Sequence, residues 1–144
     1  MYKPKYFSLY ELVPREIYES VPSSEHDRIW FIFDERALTT LDRLRIRYGR
    51  ATVNNWRQGG DLQLRGYRPP TSSVGAKYSQ HRYGRGFDSN YANATPDEIR
   101  SDIENHATEE AFEFITCIEM NIAWLHFDTR NWNTHRNGIL KVYP

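Results

Sequence analysis

The sequence predicts a single α+β domain, and three observations carry that prediction. The chain has 144 residues and a mass of 17.1 kDa, the usual size of one compact unit. Helical patterns fill much of the first third (about 1–49), whereas short β-rich runs and one further helix follow without regular βαβ alternation. That order favours an antiparallel sheet packed with helices. Leu, Ile, Val and Phe supply only about a fifth of the residues, but 10 Tyr, 7 Phe and 4 Trp add enough volume for a core.

Each element has a local reason. Ser8-Leu9-Tyr10-Glu11 has the form of a capping box and starts a short helix, which Pro14 ends or restarts. Residues 20–28 read as a loop. Residues 34–48 are the best helix: Asp34 caps it, Leu38, Leu41, Leu44 and Tyr48 recur on one face, and Gly49 stops it. Residues 51–56 read as a strand, Gln58-Gly59-Gly60 as a turn and Leu62–Leu64 as a short strand. Residues 66–85 form a long irregular stretch, and loops of that length in small domains usually carry function. Thr95 caps a helix with Pro96 at its first position and Glu98 completing a capping box, running to about His106. Residues 112–119 and 122–128 are β-rich runs joined at Met120-Asn121 as a hairpin, and residues 139–143 read as a last strand.

Composition excludes several classes. Nineteen basic and nineteen acidic residues balance, giving no electrostatic case for nucleic acid. One cysteine, Cys117, forbids an internal disulfide or a cysteine zinc finger, and reads as a small buried residue. The longest apolar run, Trp30 to Phe33, is far too short to cross a bilayer, and the N-terminus lacks the apolar segment of a secretory signal.

Two segments could carry chemistry. In Ser79-Gln80-His81-Arg82-Tyr83-Gly84-Arg85-Gly86-Phe87-Asp88, the histidine and aspartate lie seven apart around two glycines that let the chain turn tightly. In Trp124-Leu125-His126-Phe127-Asp128-Thr129-Arg130, strand alternation puts Trp124, His126 and Asp128 on one face and Leu125 and Phe127 on the other. Either segment alone is as readily a set of solvated polar residues. Together they offer His, Asp and His, and three protein ligands with a fourth position left for water is the catalytic zinc pattern, which brings the pKa of that water to about 7. His26, His106 and His135 have no comparable setting. Trp56 and Trp132 read most simply as packing residues.

The stretch SQHRYGRGFD resembles the S-x-H-x-x-G-x-A-x-D signature of the zinc D-Ala-D-Ala carboxypeptidase and L-alanyl-D-glutamate endopeptidase family, whose fold is shared with the hedgehog signalling domain. WLHFDTR is similar to the family's second zinc segment in phage members, and Gly66-Tyr67-Arg68 to its S-G-Y-R element. The opening FSLYELVP is also similar to phage members, and the main resemblance spans roughly residues 50–132. It implies a hedgehog/DD-peptidase-like fold, Zn2+ held by His81, Asp88 and His126, and hydrolysis of an amide bond in peptidoglycan stem peptides. It implies no nucleic-acid partner and no membrane insertion. It implies synthesis in the cytoplasm, then action on the cell wall after release or as part of a virion. Arg68 would bind a carbonyl or terminal carboxylate, with Ser79 and Trp124 as further substrate contacts. A guanidinium fork suits a carboxylate.

Three positions depart from the pattern. Gly86 replaces Ala, and Arg65 stands where the element has Ser. Ala123 occupies the place, three before the second zinc histidine, where many members carry a general base. Asp128 and Glu119 are the candidates to replace it. A two-residue turn at Met120-Asn121 would put Glu119 opposite Ile122, roughly 13 Å from His126, and leave Asp128 nearer at about 7 Å along its strand. The departure at Ala123 also keeps an alternative: a zinc-binding phage structural or cell-wall-binding protein of the same fold that does not cleave. A third reading drops the metal and leaves an α+β interaction domain.

Overall fold

The computed structural model describes all 144 residues. Its α-helices are α1 (Arg15–Glu19), α2 (Glu35–Tyr48), α3 (Pro96–Asn105) and α4 (Thr134–Asn137); its strands are β1 (Ala51–Thr52), β2 (Gly86–Tyr91), β3 (Cys117–Glu119), β4 (Leu125–Asp128) and β5 (Leu140–Val142). Short 3-10 turns link them. The fold is α+β, with one open five-stranded sheet in the order β1-β2-β4-β3-β5. The sheet is mixed, not antiparallel as expected: β5 pairs parallel to β3. The reason is that α4 and its flanking turns carry the chain back across the end of the sheet before β5 begins.

Helix α2 forms as its pattern dictates. The Asp34 side chain accepts from the Arg36 N–H at 2.9 Å, and Gly49 at φ 81° ends the helix. Its Ala37, Leu38, Leu41 and Leu44 face is fully buried against the sheet. Beneath it, Phe87 of β2 packs on Phe33 (centroids 5.7 Å apart) and on its cross-strand partner Phe127 of β4 (6.0 Å). Ile99 and Ile103 of α3, with Phe112, Ile115, Ile118 and Leu125, complete the core. The N-terminal arm is tied to α2 by buried Asp42, which accepts from the Lys5 and Tyr6 N–H groups and from the Tyr2 hydroxyl. Helix α3 has the expected capping box at Thr95 and Glu98.

Several sequence expectations are corrected. Residues 20–28 are largely the start of a ten-residue 3-10 helix, Ser23–Ile32, that buries Ile29 and Trp30. The capping box at Ser8 opens only a 3-10 turn, Leu9–Glu11. The strand expected over 51–56 stops at Thr52, because the following residues turn to let the Asn54 and Trp56 side chains donate to the Val13 carbonyl. Leu62–Leu64 is irregular. The 112–119 run is a strand only from Cys117, and Met120–Trp124 is an open connection rather than a two-residue turn, with Asn121 at φ 58°. Most importantly, Asp88 lies on an interior strand that the sequence reading did not assign. Gly86 and Asp88 punctuate that strand enough to hide its period from a sequence reading.

Gly84 ends the 3-10 turn that carries His81. It sits at φ 65°, and a Cβ there would collide with the Ile32 carbonyl oxygen. Gly84→Ala therefore combines left-handed strain with a backbone clash. It is expected to lower stability by about 2–4 kcal/mol, read as a fall in the urea midpoint with the slope unchanged.

Candidate metal centre

Strand register builds the site. β2 and β4 are antiparallel, with Phe87 opposite Phe127 and Asp88 opposite His126. Since successive side chains alternate, the two phenylalanines enter the core while Asp88 and His126 stand together on the other face. His81 arrives from the 3-10 turn Gln80–Tyr83, whose first carbonyl, that of Gln80, accepts from the N–H of Arg85 just before β2. All three side chains are buried, and one potential ligand atom from each lies within 4.8 Å of the other two.

The arrangement is tight and directional. Asp88 Oδ1 lies 2.7 Å from His126 Nδ1 and 3.3 Å from His81 Nε2. The outer nitrogens are anchored: His81 Nδ1 donates to the Gly66 carbonyl at 2.8 Å, and His126 Nε2 faces Asp128 Oδ2 at 3.1 Å. Gly66 can approach so closely because it has no side chain; a Cβ there would strike the Leu12 carbonyl oxygen. An anchored outer N–H fixes the tautomer and turns the inner lone pair toward the centre, the usual support of a metal-ligating histidine. Burial lowers the His126 pKa, but hydrogen bonds to Asp128 and Asp88 outweigh it and push it up to about 9. Burial, with the nearby charges of His126 and Arg68, keeps His81 below its ordinary value despite its hydrogen bond to Asp88. For Asp88, burial raises the pKa, but the hydrogen bonds from His126 and His81 hold it well below the usual carboxylate range.

The donor set fits a divalent ion. A tetrahedral ion with bonds near 2.0–2.1 Å wants donors roughly 3.3 Å apart. The Asp88–His81 spacing of 3.3 Å meets that, the Asp88–His126 spacing of 2.7 Å is shorter, and all three donor atoms lie within 4.8 Å of one another.

The sequence-predicted residues fall in three places. His81, Asp88 and His126 form the floor of a cavity of about 520 Å³, whose walls include Arg68, Ser79, Glu119, Trp124 and Arg130. Arg68 is half-buried. Its Nη2 donates to Asp88 Oδ2 at 3.2 Å, its Nε to the Leu64 carbonyl at 2.7 Å and its Nη1 to Ser79 Oγ at 3.5 Å. Asp128 is fully buried behind His126 and does not line the cavity. Its Oδ1 accepts from the Arg130 N–H and Nε, and its Oδ2 from Arg130 Nη2 and His126. Burial raises the Asp128 pKa, but Arg130 and His126 bring it down to about 2.

Glu119 reverses its expected distance. β3 and β4 pair with Cys117 opposite Asp128 and Ile118 opposite Phe127. One step further along that register sets Glu119 across from His126, a neighbour rather than a residue roughly 13 Å away. Apart from Asp88, it is the one carboxylate lining the cavity. Its connection to β4 is clamped by buried Arg100, which donates to the Ile122 and Trp124 carbonyls at 2.9 Å each.

Sequence reasoning missed the Gly66 carbonyl and gave Arg130 no place in the cavity. A backbone acceptor leaves no trace in side-chain identity. The Asp128-x-Arg130 spacing was the available signal for the second, since residues two apart share a strand face. Cys117 is buried, and burial pushes its thiol up to about 12, so it is inert.

Fold and site together define an α+β chain with a buried His-Asp-His group that could hold a metal ion. No family model, no curated protein and no solved structure matches this chain. No helix is long and apolar enough to cross a membrane.

Proposed function

We propose that the chain is a zinc-dependent peptidase that hydrolyses an amide bond in peptidoglycan stem peptides, with the hedgehog/DD-peptidase-like fold that its motifs resemble. The observation that supports this best is the convergence of His81 Nε2, Asp88 Oδ1 and His126 Nδ1, each backed from behind, on the floor of a cavity that also presents a free carboxylate. Zinc in that group would supply Lewis acidity toward the amide carbonyl and activate water at neutral pH.

The chain's own residues complete the chemistry. Glu119 takes the proton from the attacking water on a carboxylate oxygen and returns it to the departing amine, the task left open by Ala123. Asp128 holds His126 in orientation and is itself held by Arg130, so it is a positioning residue and not the base. Arg68 faces the reacting carbonyl side of the cavity while steadying Asp88. Ser79 and Trp124 line the bound peptide.

The test is direct. Protein supplied with one equivalent of zinc is incubated with purified stem peptides and new amino groups are counted. Amine release that stops with chelator and returns with zinc is expected. Tight zinc binding without any cleavage would favour the non-catalytic alternative, for which Ala123 is the specific reason.

A further inference from the structure

A second cavity, of about 490 Å³, adjoins the metal cavity and shares Arg68, Val74, Asp88 and Trp124 with it. The two make one cleft that runs across the His-Asp-His group. The far arm is lined by Leu62 and Leu64, by Trp124, and by one cation outside the metal site, Arg65.

Arg65 is held in place, and the charge of Asp88 reaches it without a direct ion pair. Its Nη2 donates to Asn90 Oδ1 at 2.6 Å, and Asn90 in turn donates to the Ala123 carbonyl at 3.1 Å. Its guanidinium carbon lies 6.0 Å from the Trp124 ring centroid. Its backbone is pinned as well: its N–H donates to Asn54 Oδ1 and its carbonyl accepts from the Asp88 N–H at 2.8 Å. The side chain is half-buried, yet it forms no ion pair, whereas neighbouring Arg68 is paired with Asp88. No buried polar side-chain atom in the chain lacks a partner, so the remaining Arg65 donors open into the cleft. A half-buried, pre-positioned guanidinium without a carboxylate is a receptor for one, because burial of charge is compensated only by pairing. Asp61 lines the same cavity but makes no ion pair with Arg65.

We propose that Arg65 forms a carboxylate-binding subsite in the arm of the cleft beside the metal group, so that the protein selects peptides with a free carboxylate next to the bond presented there. The ligand class rests on the peptidase reading above; the anion site itself does not. This arm also gives the departure of Arg65 from the motif a function.

The probes are acetyl-L-alanyl-γ-D-glutamyl-L-lysine amide, with its single carboxylate free, and the same peptide with that carboxylate amidated. Dissociation constants are measured by calorimetry on the protein supplied with one equivalent of zinc, and cleavage is followed separately by chromatography. The free-carboxylate peptide is expected to bind about tenfold to hundredfold more tightly, the worth of a charge-assisted pair. Arg65→Ser should bring the ratio to near one, and Arg65→Lys should keep part of it, since a point charge remains without the fork. Equal binding of both peptides by the wild type, or a preference undiminished in Arg65→Ser, overturns the subsite; the wild-type comparison decides even if a variant unfolds. Carboxylate preference without cleavage keeps the subsite and counts against hydrolysis of the L-alanyl-D-glutamyl bond. Cleavage without preference overturns the subsite and keeps the peptidase reading.

Discussion

Glu119→Gln is expected to lower the rate of amide hydrolysis by about 10²–10⁴-fold, the usual worth of a positioned general base, while zinc content stays at the wild-type level. The amide keeps the size of the side chain and its place across from His126, but cannot accept a proton. Asp128→Asn should behave differently. Asp128 is sealed behind His126 and fully engaged by Arg130, so its replacement disturbs the ligand's orientation. Zinc affinity should fall by about 10–100-fold, with activity recovered at high zinc. Rate and zinc titration on the two variants separate the roles; a near-normal rate in Glu119→Gln would remove it as the base.

His81→Ala is expected to abolish zinc retention. The variant loses one of three ligands and leaves the Gly66 carbonyl without its donor. Elemental analysis should fall from near one zinc per chain to background. The companion measurement is thermal: a site held at a thousandfold over its dissociation constant stabilises the fold by about 4 kcal/mol. Chelator should therefore lower the wild-type melting temperature clearly and leave that of His81→Ala unmoved. A wild-type protein that takes up no zinc and ignores chelator would end the metal reading, whatever the variant does.

The helices were the most legible part of the chain. Asp34 with the Leu38, Leu41 and Leu44 stripe, and Thr95 with Pro96 and Glu98, encode their helices in local capping and spacing, and the structure places both within a residue of expectation. The three residues of the buried His-Asp-His group were legible through motif spacing, although neither the burial nor the exchange of hydrogen bonds at Asp88 could be read. The sheet was harder. β2 carries Asp88, Ser89 and Asn90, residues that disfavour strands in isolation, and forms because Phe87 packs on Phe33 and Phe127. The position of Glu119 depended on how many residues the connection after it uses. A local reading chose a two-residue turn at Met120-Asn121. Arg100, from a helix some twenty residues earlier, instead gathers the Ile122 and Trp124 carbonyls into a wider loop. No local signal reports a long-range clamp of that kind.

The pairing of β2 with β4 also bears on how the chain folds. Asp88 and His126 meet as direct partners although helix α3 and strand β3 separate them along the chain. Closing that loop costs entropy before any contact offsets it, and contacts between distant segments slow the approach to the native state. The three side chains thus share no common geometry until the central strands have zipped together. A cation recognising all three can engage only afterwards, so its benefit falls on the lifetime of the folded chain, slowing unfolding, rather than on the speed with which that chain first assembles.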